Sequence, residues 1–110
     1  MIHLLLPIIG PVTQPWSQKH PAIDIACLTG SPIVAAHSGK ANTHYDYKMG
    51  NVVVLIGENG LITSYSHLSK VTGNGMYNVG AIIGECGSTG IWSSGSHLHF
   101  ESNKPYTFYK

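Results

Sequence analysis

Seven histidines stand among 110 residues, and the spacing of several of them could do chemistry. His97-Leu98-His99-Phe100-Glu101 alternates polar and apolar positions, so as a β-strand it projects both imidazoles from one face and sets Leu98 and Phe100 on the other. Two imidazoles on one face suit metal binding or proton transfer. In His20-Pro21-Ala22-Ile23-Asp24, Ile23 and Ile25 point to a core and Asp24 points the opposite way. Fully extended, that segment would separate the Cα atoms of His20 and Asp24 by about 13 Å, an awkward span for ligand atoms that must sit about 2 Å from one zinc ion. A bend is therefore expected, and Pro21 with its fixed φ is the place for it. Asp24 is the only acidic residue in the first 45 positions and lies in the apolar run 23–26. A carboxylate on a half-buried strand needs a metal or hydrogen-bond donors. Each cluster alone is weak, because His-x-His in a strand is often no more than a hydrogen-bonded pair. Together they supply the three N/O ligands of a catalytic zinc site, with a fourth position for water.

The elements that must carry these residues are short. Residues 1–9 read as a first strand, residues 22–26 and 33–36 as further apolar segments, and residues 42–48 as an exposed loop or hairpin arm. The clearest local signal is Asn59-Gly60 between two β-rich runs, which marks a hairpin. A two-residue loop there predicts pairing of Glu58 with Leu61, Ile56 with Thr63, Val54 with Tyr65 and Val52 with His67, placing Tyr65 and His67 on one face. Residues 81–84 form another strand between glycine turns, and residues 96–101 the last.

Composition narrows the classes. Six Lys and no Arg against five acidic residues leave a net charge of +1, and charged residues are 10% of the chain, where about 25% is usual. A basic nucleic-acid-binding surface is not expected. No apolar run approaches the roughly 18 residues of a membrane span, so membrane insertion is not expected either. Thirteen Gly and six Pro interrupt every helical period. An all-β chain of one domain, residues 1–110, fits best. The apolar start lacks the preceding positive charge and small-residue cleavage site of a signal peptide. Cys27 and Cys86 are expected as two buried thiols rather than a disulfide.

Read together, the three segments His20 to Asp24, Ser66-His67-Leu68-Ser69 and His97 to Glu101 resemble, in order, the signatures of the lysostaphin/LytM-type zinc endopeptidases that cut bacterial peptidoglycan. Gly50-Asn51-Val52-Val53-Val54 resembles the family's strand before the hairpin, and Gly87-Ser88-Thr89-Gly90 its glycine-patterned approach to the last motif. The resemblance implies a compact antiparallel all-β fold, one zinc ion per chain held by His20, Asp24 and His99, and a catalytic pair, His67 and His97, outside the metal shell. Asn51 matches a position the family fills with Asn, as a substrate donor or a shaper of the strand. Tyr65, beside His67 in the predicted register, is a second candidate for substrate or oxyanion contact, with packing as the alternative. Glu101 is structural or supports a ligand from outside, and His3, His37 and His44 match no family role.

The family usually carries a Gly-x-Arg stretch ahead of the first ligand, and residues 13–17 replace it here without any Arg. That changes how the groove rim grips substrate and leaves the metal chemistry intact. Action at the bacterial wall without a signal peptide implies delivery by a phage particle, passage through a pore, or an excised catalytic domain. Two rival classes are a silent metal- or wall-binding relative that regulates other hydrolases, and a carrier barrel modified at Lys48. The first is disfavoured because all five positions are kept, and the second leaves the histidines unexplained.

Overall fold

Glycine-punctuated apolar runs too short for helices fold as strands throughout the computed structural model, which describes residues 1–110. In chain order they are β1 (Ile2–Leu5), β2 (Val12–Gln14), β3 (Ile23–Ala26), β4 (Pro32–Val34), β5 (Gly39–Asp46) and β6 (Gly50–Ile56), then β7 (Ile62–Leu68), β8 (Lys70–Val71), β9 (Gly75–Tyr77), β10 (Ile82–Glu85), β11 (His97–Ser102) and β12 (Tyr106–Tyr109). A seven-stranded antiparallel sheet runs β2-β3-β11-β7-β6-β5-β9. A smaller antiparallel sheet, β4-β10-β8, and a parallel pair, β1-β12, complete the fold. The core lies where Val53, Leu55, Tyr65, Leu98 and Phe100 of the large sheet meet Ile33, Ile83 and Leu4. Polar and site-bearing positions of β3 and β11 take the opposite face, as period-two alternation requires.

The all-β expectation holds, and three finer expectations meet different outcomes. First, Asn59-Gly60 does form the two-residue turn, with φ of 56° and 75° and the Leu61 N–H donating to the Glu58 carbonyl. The next bond, however, comes from the Gly57 N–H to the Leu61 carbonyl. Gly57 and Glu58 thus oppose one residue, and this bulge displaces the register by one, so that Ile56 faces Ile62 and Val53 faces Tyr65. Second, of the two readings of residues 42–48 the hairpin arm holds, since β5 runs on to Asp46 and pairs antiparallel with β6 from Lys40 to Asp46. Third, β12 follows the strand expected to be last, and it pairs with β1 across almost the whole chain length.

Cys27 and Cys86 form a disulfide with a Cα separation of 6.2 Å, correcting the expectation of free thiols. Their distance in sequence hid a proximity that only the packing of β3 against the segment after β10 creates.

Tyr65 is fully buried in the core, its hydroxyl accepting the Ala36 N–H at 3.1 Å and lying 2.9 Å from Thr63 Oγ1. Burial pushes its pKa up from 10.0 to about 12. The unfolded phenol ionises first as pH rises, so this contribution to stability is complete below pH 10 and is lost between pH 10 and 12. At pH 11 the loss should be about 1.4 kcal/mol. Urea titrations of wild type and Tyr65→Phe at pH 9 and 11 test this: the alkaline loss should be larger in wild type by that amount, and equal losses in both would refute it.

Candidate active site

The site is built from one pair of strands and one bulge. Antiparallel pairing sets His99 of β11 directly opposite Asp24 of β3, and His97 opposite Ala26. Ahead of β3 the chain bends at Pro21, where the Ala22 N–H donates to the His20 carbonyl, and Ser17 Oγ accepts the His20 N–H at 3.0 Å. This bend replaces the extended spacing and brings His20 Nε2 to 3.4 Å from Asp24 Oδ2. His99 Nδ1 lies 3.0 Å from Asp24 Oδ1. Donor atoms in a tetrahedral shell at about 2 Å from zinc stand roughly 3.3 Å apart, close to both distances. One donor atom from each of His20, Asp24 and His99 falls within 4.8 Å of the others. The Asp24 carboxylate is almost fully buried, and His20 Nδ1 is buried without a hydrogen-bond partner. Two imidazoles and one carboxylate converging in this way fit one zinc ion with coordination positions to spare.

His67 reaches the same face through a second irregularity. Val53 faces Tyr65 but Asn51 faces Leu68, so β7 carries one extra residue, and His67 sits there in the left-handed region at φ 65°. A positive φ is uncommon for a residue with a side chain. The inserted residue breaks alternation, leaving Tyr65 and Leu68 both in the core and turning His67 toward β11. Its ring lies 4.9 Å from that of His97 and 5.8 Å from that of His99. The expectation that Tyr65 shares the face of His67 is therefore corrected. With no exposed surface, Tyr65 cannot touch substrate. Asn51 donates its side-chain N–H to the Leu68 carbonyl at 2.9 Å, so it braces the bulge.

Protons on the two remaining histidines are fixed by their partners. His67 Nδ1 is 2.7 Å from the Thr89 carbonyl, and His97 Nδ1 is 2.8 Å from the Gly95 carbonyl. A carbonyl only accepts, so each Nδ1 carries a hydrogen and each neutral ring keeps a bare Nε2. His97 Nε2 lies 3.7 Å from Asp24 Oδ1, on the site's side. Burial, with the charges of His97 and His99 adding to it, holds the pKa of His67 below the ordinary imidazole value despite the Thr89 bond. At His99 burial acts downward, and the carboxylates of Glu101 and Asp24 outweigh it, raising the pKa.

Thr89 and two glycines were not identified from sequence as parts of this site. Thr89 Oγ1 donates to the Leu68 carbonyl at 2.7 Å and accepts the Asn51 N–H at 3.1 Å, while its own carbonyl holds His67. Gly90, at φ 86°, passes so close to the loop before β6 that a Cβ would lie 2.4 Å from Gly50 N. The glycine pattern of residues 87–90 was the available signal, and its partner across the fold was not. Beside Asp24 and His97 a cleft of about 260 Å³ is lined by uncharged groups, among them Thr13, Gln14, Ser94 and Ser96. His3 bonds Thr107 and His37 bonds Thr63, while His44 is exposed, so none of the three joins the site.

This sheet carries two histidines and an aspartate on one face, with a second histidine pair beside them, the donor set of a metal site. Residues 18–108 match Peptidase family M23, and the chain belongs to that family. Mpg of Neisseria meningitidis serogroup B, named a DD-carboxypeptidase/endopeptidase, is 38% identical over 95 residues. That match covers 84% of this chain and 21% of Mpg, so the chain spans about a fifth of the length of that relative. The catalytic domain of lysostaphin, an antimicrobial peptidase of Staphylococcus simulans, superposes with a TM-score of 0.72 at 33% identity, covering 84% of this chain and 74% of that one. An M23 peptidase of Pseudomonas aeruginosa superposes with a TM-score of 0.81 at 30% identity over 88% of this chain and 43% of its own.

Proposed function

We propose that this chain is the catalytic unit of a zinc-dependent endopeptidase that hydrolyses an amide bond in the cross-links or stem peptides of bacterial peptidoglycan, acting at the cell wall. The observation that carries this reading is the division of nitrogen atoms on one face. His20 and His99 turn a ring nitrogen toward the Asp24 carboxylate, whereas His67 and His97 tie their Nδ1 hydrogens to carbonyls and keep Nε2 bare.

In this reading His20, Asp24 and His99 hold the ion. Zinc there would supply a Lewis acid that polarises the scissile carbonyl and lowers the pKa of water. The bare Nε2 of the outer pair accepts a proton from the attacking water, and the carbonyl already holding Nδ1–H stabilises the imidazolium that results. That imidazolium then donates to the leaving amine, while the neighbouring ring, at 4.9 Å, orients the reacting groups. Uncharged walls at Thr13, Gln14, Ser94 and Ser96 suit residues such as Gly or D-Ala.

Metal content and turbidity loss of purified peptidoglycan test the reading together. One zinc per chain, with clearing that stops on chelation and returns with zinc, is expected. Clearing indifferent to the chelator, or a zinc-loaded chain that clears nothing, would overturn it. Masses of fragments released from D-Ala cross-linked and glycine-bridged walls then identify the bond.

A further inference from the structure

His97, His99 and Glu101 stand in a row on one face of β11. Both ring nitrogens of His99 face a carboxylate, with Nδ1 at 3.0 Å from Asp24 Oδ1 and Nε2 at 3.4 Å from Glu101 Oε2. The 3.0 Å between Nδ1 and Asp24 Oδ1 is the spacing of two neighbouring ligand atoms on one ion. A ligand needs a lone pair at that same nitrogen. With that lone pair on Nδ1, the neutral ring carries its one proton on Nε2, which faces Glu101 Oε2. His20 has no such support, since its Nδ1 is buried without a partner.

We propose that Glu101 is a positioning residue that holds His99 as its Nε2–H tautomer and so presents the Nδ1 lone pair to the metal. This rests on the zinc reading above. Partners of this kind orient a ligating imidazole and raise its basicity, and their loss weakens metal affinity roughly 10–100-fold. The Glu101 side chain is 43% exposed, so its removal opens no core cavity.

Zinc affinity of the full chain, measured by competition with a chromophoric chelator, tests this alongside the imidazole 15N resonances of the zinc-loaded protein. Glu101→Ala should bind zinc roughly 10–100-fold more weakly, with an unchanged melting temperature in the metal-free state. Glu101→Gln keeps a carbonyl that can accept from Nε2–H and should recover most of the affinity. The loaded wild type should show a proton on His99 Nε2. Equal affinity of wild type and Glu101→Ala, a Gln variant as weak as the Ala variant, or a loaded His99 without that proton would overturn the inference alone. A wild-type chain that takes up no zinc would overturn the metal reading and this inference with it.

Discussion

His99→Ala should lose both zinc and hydrolysis, whereas His97→Ala, two residues away on the same strand face, should keep its zinc and lose hydrolysis by about 10²–10⁴-fold, the range for removing a general acid or base. The asymmetry follows from which nitrogen each ring offers. His99 faces the Asp24 carboxylate with Nδ1 at 3.0 Å, and deleting it removes one of three donors. His97 ties Nδ1 to the Gly95 carbonyl, so its contribution is the bare Nε2 beside the metal position. Zinc per chain and the rate of wall clearing, measured on the same preparations, separate the two variants. Equal zinc in both would sink this division. For His67 the informative variant is His67→Asn, because Asn tolerates the left-handed backbone at φ 65°, where Ala would add strain to the loss of the imidazole.

Removal of the disulfide is expected to have the largest effect on stability. Cys27 and Cys86 are 59 residues apart, and closing a loop of that length restricts the unfolded chain by roughly 4 kcal/mol. In a domain of this size such a loss lowers the melting temperature by roughly 15 °C. The link also ties the two halves of the site. Cys27 follows Asp24 by three positions, and Cys86 precedes Gly87, whose carbonyl accepts the His97 N–H at 3.1 Å. Ser96, immediately before His97, lies 3.4 Å from Cys86 Sγ and accepts the Thr29 hydroxyl hydrogen at 2.9 Å. Reduction should therefore loosen the approach to His97 as it destabilises the fold. Thermal melts of the oxidised chain, the reduced chain and the Cys27→Ser/Cys86→Ser double variant provide the check. Melting temperatures that agree to within the error of the method would show that the link contributes nothing.

Much of this was legible in the sequence because strands impose a period of two. That period placed His97 and His99 on one face and Leu98 and Phe100 on the other, and the structure has Leu98 and Phe100 fully buried. Composition was enough for the all-β class, since thirteen Gly and six Pro leave no uninterrupted helical period. The Asn59-Gly60 turn was legible too, because few pairs accept positive φ at both positions. Register was not. One extra residue at Gly57-Glu58 displaced the pairings from Ile56 to Val53 by one, and a second at His67 reversed which side chains face the core. Strict alternation carries no mark of a bulge, so it set Tyr65 on the face of His67, and of the two readings of Tyr65 its place in the core leaves packing.

What the sequence by itself determined is the set of chemical groups and their local order: a bend at Pro21 that lets His20 approach Asp24, a strand that aligns His97, His99 and Glu101, and a chain confined to strands and turns. These follow from backbone geometry over a few residues. Tertiary structure alone decided which groups meet: His99 opposite Asp24 from 75 positions away, the Thr89 carbonyl on the His67 ring, Cys27 joined to Cys86, and β12 beside β1. Such contacts depend on packing between distant segments, where one inserted residue turns a side chain from core to site, and no local pattern records that choice.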